Sequence, residues 1–337
     1  MEFDELRAAA ANMLKVNIGL KDNERVAFVS DVPTQQDWEE LPFSRLKDMT
    51  RRSLMVTRFY EMMKTEYPKN FFGLICYPQL GQNGREPDEV TAQRILGYDV
   101  LILMTTYSLS HTNARENASQ QGARVASMPE VEASMFAEGG PMAADYQAIS
   151  QETYELAGML TEGNQVRITT PFGTDLSFSI SGRKGGPDTG LLHATGEFGN
   201  LPGGEAYVAP LEGTAEGILV VPAGWYPGLM QDMTLTFKNG YVSALSGGGE
   251  IGKKFEALFA FNDESLKHRR NCAELGIGTN PNASRPDNVL EAEKIKGSVH
   301  VATGDSSHLG GVTESDLHED FVLIQPTLYI DGKKRMG

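Results

Sequence analysis

At 337 residues, with 40% hydrophobic and 22% charged side chains, the chain has the composition of an ordinary globular protein long enough for two cores. Its formal net charge of −15 argues against a nucleic-acid partner, because nothing in it neutralises phosphates in a row. No apolar run approaches the ~20 residues that span a bilayer and no signal-peptide pattern opens the chain, so a cytoplasmic protein without a membrane partner is expected. The two cysteines, Cys76 and Cys272, form no CxxC motif or disulfide framework, and each is expected to be a buried thiol.

In chain order, residues 2–18 carry apolar side chains at helical spacing, and Gly19 followed by residues 21–24 makes a turn. Residues 25–30 read as a short buried strand ending at Asp31. A helix is expected over residues 46–66, with Met55, Phe59, Met62 and Met63 toward the core. A second strand follows at 70–77, a helix at 88–96, and an almost wholly apolar third strand at 99–104, of the kind buried on both faces of a parallel sheet. His111 to Arg115 open a helix, and a fourth strand is expected at 123–128. This alternation predicts a doubly wound, mainly parallel α/β domain over residues 1–150. No GxGxxG follows a strand, so a dinucleotide site is not indicated.

Residues 131–163 read as a helical connector, after which the pattern changes. Short strands are expected at 166–170, 175–180, 205–210, 217–221, 233–237 and 241–245, separated by turns such as Pro171-Phe-Gly173 and Lys238-Asn-Gly240; Asn-Gly is a strong hairpin signal. Residues 253–264 have helical periodicity, with Phe255, Leu258 and Phe259 on one face, but no good N-cap precedes them. The prediction is a β-rich α+β domain over residues 151–337 that carries the metal-binding, catalytic chemistry.

That chemistry is densest in residues 297–320, which hold His300, His308 and His318, three of the six histidines. Imidazole and carboxylate are the ligand types for zinc, manganese, cobalt or iron. Residues 298–302 alternate as a strand does, so His300 leaves a defined face, and in His318-x-Asp320 an extended backbone puts both side chains on one side. The same spacing also suits a solvated loop with scattered histidines. Two more stretches bring carboxylates. A glycine-rich loop delivers Glu205 to the start of a strand, and Glu274 precedes Gly276 and Gly278, which permit close backbone approach. Two imidazoles and three carboxylates can hold two metals ~3.5–4 Å apart around a bridging water.

At these residues the chain resembles the aminopeptidase T/aminopeptidase S family of metallopeptidases, especially its shorter branch. The resemblance runs from His111-Thr-x-Ala-Arg115 through Asn200-Leu-Pro-x-Gly-Glu205 and Glu274-Leu-Gly-Ile-Gly-Thr-Asn280. It continues through Asn288-Val-Leu-Glu-x-Glu-Lys294, Val299-His300-x-Ala-x-Gly304 and His318-x-Asp320 to Asp331-Gly332. It implies that Glu205, Glu274, His300, His318 and Asp320 match five metal ligands. It also implies a homodimer with two divalent ions (Zn, Co or Mn) that removes N-terminal residues from short peptides. One departure stands out: Ser307 occupies the place of the family's catalytic tyrosine. His308 beside it could supply a proton donor or a hydrogen bond to an oxyanion, or be a surface residue on a glycine-rich loop.

A related branch, the 2,5-dihydroxypyridine dioxygenases, uses one Fe(II) held by two His and one Asp. By resemblance its first histidine falls at Glu274, while the His-x-Asp pair is shared, so Glu274 favours the two-metal hydrolase. The expected order is therefore a metallo-aminopeptidase-like hydrolase of short peptides or other small molecules, then a mononuclear Fe(II) ring-cleaving dioxygenase, then a metal-binding accessory protein. Among the remaining polar residues, Arg115 also fits an ordinary helix start, and His193 and His268 read as surface groups. Glu197, Glu212, Glu216 and Glu250 read as exposed loop carboxylates, and Trp225-Tyr226 as a packed turn.

Overall fold

The computed structural model describes residues 3–337, with side chains from Leu6 onward. The chain divides into two units: residues up to Tyr146 together with Gly190–Gly203, and Gln147–Thr189 together with Gly204–Gly337. The expected first helix is α1 (Phe3–Asn12), extended by a π-helical turn over Met13–Asn17; Glu2 lies outside the described residues. Then come β1 (Arg25–Val32), α2 (Gln35–Glu40), α3 (Phe43–Glu66), β2 (Phe71–Pro78) and α4 (Glu89–Ile95). β3 (Val100–Leu103), α5 (Asn113–Gln120) and β4 (Arg124–Ser127) complete the run. Helix α2 is absent from the sequence reading, although its start signal is local. The Thr34 hydroxyl accepts from the Asp37 N–H while the Asp37 carboxylate accepts from the Thr34 N–H, a capping box.

The two-residue strand period decides which helices cover which face. Ala27 and Val29 of β1 cluster with Ile95 of α4 and with Ala114 and Ala118 of α5. Phe28, between them, points to the other face and meets Phe59 of α3 edge-on at 6.4 Å. Helices therefore line both faces of a parallel sheet, as the alternation predicts. Cys76 corrects an expectation: it is exposed, because on β2 its neighbours Ile75 and Tyr77 take the core face.

Helix α6 (Tyr146–Glu162) leads to β5 (Gln165–Thr169), β6 (Asp175–Ser179) and β7 (Gly186–Asp188). The chain then returns to the first unit, where β8 (Phe198–Asn200) pairs parallel to β4 and completes the order β2-β1-β3-β4-β8. The sequence reading has this stretch only as a loop of the second domain. The rest is β9 (Glu205–Val208), β10 (Glu216–Val221), β11 (Met233–Lys238), β12 (Tyr241–Gly247), α7 (Gly249–Phe259) and β13 (Cys272–Gly278). After it come α8 (Val289–Ala292), β14 (Val299–Gly304), β15 (His318–Leu323), β16 (Thr327–Ile330) and β17 (Lys333–Met336). Asn239 and Gly240 both have positive φ, so the Asn-Gly pair does make the β11–β12 hairpin. Helix α7 starts earlier than expected and stops at Ala260, whose φ of 44° is left-handed; the expected run to residue 264 gives way to a separate 3₁₀ turn capped by Asp263.

These strands form two antiparallel sheets, a large one (β12-β11-β10-β6-β5-β16-β17) and a small one (β15-β14-β13-β9-β7). One face of the small sheet (Leu275, Ile277, Val299, Val301, Phe321, Leu323) shares a core with Ile168, Leu176, Leu219 and Leu235 of the large one. Each such side chain contributes ~1.5–3 kcal/mol by burial, so the register of the small sheet is firmly set. Tyr226 packs against Phe255 and Phe321 and donates to Glu319 Oε2 at 2.9 Å, which bears out the packed-turn reading. No described helix is long and apolar enough to cross a membrane.

Candidate metal centre

Because one face of the small sheet is committed to the core, alternate residues must all emerge on the other. Strand pairing then fixes what that face carries. Gly278 pairs with Glu205, which pairs with Asp188. Gly276 pairs with both Tyr207 and His300. Glu274 pairs with Ala302, which pairs with Asp320, and Gly304 pairs with His318. All five ligand-type residues singled out in the sequence therefore come from four adjacent strands onto one face.

Small residues make room between them. A Cβ added at Gly276 would lie 2.0 Å from His300 Cε1, so the imidazole lies directly over this glycine. A Cβ at Gly278 would lie 2.2 Å from the carbonyl oxygen of Ile295, which explains how the segment after α8 crosses close above β13.

His300 Nε2 is 3.4 Å from Glu205 Oε2, 3.5 Å from Glu274 Oε1 and 4.0 Å from Asp320 Oδ1. His318 Nε2 is 3.1 Å from Glu274 Oε2 and 3.6 Å from Asp320 Oδ1. Two donor groups result, Glu205–Glu274–His300 and Glu274–His318–Asp320, each with one ligand atom per residue within 4.8 Å of the others. Glu274 belongs to both, one oxygen to each histidine.

The electrostatics are those of a cation seat. Burial opposes charge on both imidazoles, yet Glu274 with Glu205 and Asp320 raises His300 to about 9, and Asp320 with Glu274 raises His318 well above its usual value. Burial disfavours the charged Glu274 carboxylate, but its hydrogen bonds from His300 and His318 outweigh this and hold it well below the usual range. Glu293, buried nearby, is pushed well up by burial and by the Asp320 charge. Buried Glu205 Oε2, Asp320 Oδ1 and His300 Nδ1 have no hydrogen-bond partner. Orphaned carboxylate oxygens in a buried site are costly unless something positive meets them. Oxygen and imidazole donors at this density fit a divalent transition metal, which would bind the imidazoles in their neutral form.

His308 lies beside this centre on a 3₁₀ turn, Ser307–Leu309. Its Nδ1 is 2.6 Å from Asp305 Oδ2, and its ring centroid is 5.0 Å from that of His318, edge-on. Asp305 also accepts from His318, whose Nδ1 is 2.7 Å from the Asp305 carbonyl oxygen. One residue thus orients both histidines. Ser307 hydrogen-bonds the same Asp305 carboxylate.

Three residues on the inner side of the centre have no assigned role in the sequence reading. Lys294 is fully buried, with Nζ 2.5 Å from Glu205, 3.1 Å from Glu293 and 3.7 Å from Asp188. Glu293-Lys294 forms part of a motif that marks the resemblance, and that motif was the available signal. Of the other acidic candidates, Glu212 is tied to Arg183 and to the Val312 N–H, and none of Glu197, Glu212, Glu216 or Glu250 joins a donor group. His193 and His268 are exposed, and Arg115 stacks on Phe198 at 4.2 Å.

A parallel α/β unit and a β-rich unit bearing an imidazole–carboxylate centre define an enzyme of the metal-site class. The chain belongs to the family described as NicX, 2,5-dihydroxypyridine 5,6-dioxygenase, whose model matches residues 8–336. The 2,5-dihydroxypyridine 5,6-dioxygenase of Pseudomonas putida is 24% identical over 269 residues, covering 72% of this chain and 71% of that protein. The solved structure of 2,5-dihydroxypyridine dioxygenase from the same organism superposes with a TM-score of 0.74 at 16% identity, covering 99% of this chain and 96% of the other. Wild-type AmpT from Thermus thermophilus superposes with a TM-score of 0.64 at 15% identity, covering 99% and 97%. The expected kinship with both branches is therefore seen in the fold. The expected order of activities is not supported, because the family model and the curated relative both name the dioxygenase, while AmpT is a likeness of fold alone.

Proposed function

We propose that this protein is an Fe(II)-dependent dioxygenase that opens a small, electron-rich hydroxylated ring of the dihydroxypyridine type. The observation that carries the reading is the family match, which spans every residue of the centre. Glu274, His318 and Asp320 are the proposed iron ligands, one imidazole and two carboxylates on the same face of β13 and β15, with Glu274 in the place of the dioxygenase branch's first histidine. Iron(II), when bound, supplies one-electron chemistry toward dioxygen and polarises a ring hydroxyl. The protein's own work is orientation and charge. The Glu274 and Asp320 carboxylates match the charge of a divalent ion, and Asp305 fixes the His318 ring by its carbonyl. His308, held at Nδ1 by the Asp305 carboxylate, is the group proposed to hydrogen-bond a substrate oxygen. Anaerobic loading with Fe(II), followed by oxygen uptake with 2,5-dihydroxypyridine and with catechol, tests this. Uptake with the pyridine ring is expected; no uptake with either ring removes the reading.

One observation favours a second reading. Glu274 is shared between two donor groups, which suits a bridging carboxylate in a two-metal hydrolase of short peptides with Glu205 and His300 as further ligands. Two zinc, cobalt or manganese ions per chain, with cleavage of aminoacyl amides or dipeptides, would support it; a single iron with oxygen uptake supports the dioxygenase. The homodimer belongs to both proposals and is read by light scattering.

A further inference from the structure

We propose that Lys294 is a positioning residue that holds Glu205 as a one-oxygen donor to the metal centre. The inference rests on the second reading above, in which Glu205 and His300 are ligands beside Glu274. Its geometry is asymmetric. The Lys294 ammonium takes Glu205 Oε1 at 2.5 Å, while Oε2 is buried without a hydrogen-bond partner and stands 3.4 Å from His300 Nε2. One oxygen is therefore anchored away from the centre and the other presented to it.

The anchor is rigid for reasons visible in the backbone. The Asn280 N–H donates to the Lys294 carbonyl at 2.9 Å, and the Lys296 N–H donates to the Asn280 carbonyl at 3.1 Å. This parallel bridge clamps the lysine segment over Gly278, the residue that pairs with Glu205. A fully buried ammonium is retained only where carboxylates surround it, and Asp188, Glu205 and Glu293 do so here. Without the ammonium, Glu205 would be free to turn both oxygens or neither toward His300. Residues that orient ligands in this way typically account for ~10- to 100-fold in metal affinity.

The test is a mutant cycle on the full-length protein, stripped of metal by chelation and titrated with Co(II), read by its visible absorption and by metal analysis, with thermal melting as the check on folding. Glu205→Gln should weaken cobalt binding. Lys294→Met should weaken it ~10- to 100-fold, and the same change in the Glu205→Gln background should add almost nothing, because the two act through one carboxylate oxygen. Unchanged binding by Glu205→Gln would overturn the ligand reading, and the proposal with it. Weakened binding by Glu205→Gln with unchanged binding by Lys294→Met overturns the proposal alone. An equal loss from Lys294→Met in both backgrounds also overturns it, since a merely structural lysine behaves so. If Lys294→Met does not fold, Glu293→Gln combined with it lowers the buried negative charge, and the cycle is read on that pair with the same outcomes.

Discussion

Substitution of Gly276 by alanine tests the geometry of the centre without touching a ligand. The new Cβ would lie 2.0 Å from His300 Cε1 and 2.1 Å from Nε2, whereas ordinary contact begins at 3.4 Å, so the ring must retreat by about 3.4 − 2.0 = 1.4 Å. His300 Nε2 stands only 3.4–3.5 Å from Glu205 and Glu274, so a retreat of that size removes it from their shared donor set. Strain of ~1–3 kcal/mol is expected in the fold, since the strand itself accepts alanine but the layer above it does not. A displacement of more than 1 Å at a reacting centre is expected to cost ~100-fold in turnover. The assays are urea unfolding, metal content after exhaustive dialysis, and oxygen uptake. In a His300→Ala background the obstacle is gone, and Gly276→Ala should then cost less than about 0.5 kcal/mol. A Gly276→Ala protein with unaltered metal content and unfolding midpoint would refute the placement of His300 over this glycine, and with it the assembled donor set.

His318→Ala should lose metal and activity together while circular dichroism stays native, because both apolar cores lie elsewhere; full metal content in that variant would remove His318 from the ligands. His308→Ala should keep its metal and lose ~10²–10⁴ in rate, measured by oxygen uptake at saturating substrate, whereas normal turnover would return His308 to the surface loop. Arg124→Met should destabilise the fold by ~1–3 kcal/mol in urea unfolding, since this buried guanidinium donates to the Ile18 carbonyl and pairs with Glu24, which would keep only the Lys21 N–H as a partner. A shift within experimental error would show that the pair contributes nothing net.

The sequence by itself determined the local elements and the donor types. Strand–helix alternation gave the parallel sheet because its inner strands β1, β3 and β4 bury both faces, and Lys238-Asn-Gly240 gave its hairpin because only such residues accept positive φ cheaply. The alternation around His300 and in His318-x-Asp320 gave the correct face, since side chains two apart in a strand must emerge together. Partnership was what the tertiary structure decided. Nothing local says that β8, read as loop, closes the first sheet, because a three-residue strand has no period of its own. Nor does local sequence bring Glu205, Glu274, His300 and Asp320 together across β9, β13, β14 and β15, because pairing register is set by the apolar face packed against the other sheet. Lys294 shows the limit most clearly. A lysine that follows Glu291 and Glu293 reads as solvated, and only the fold surrounds it with the carboxylates that make its burial tolerable.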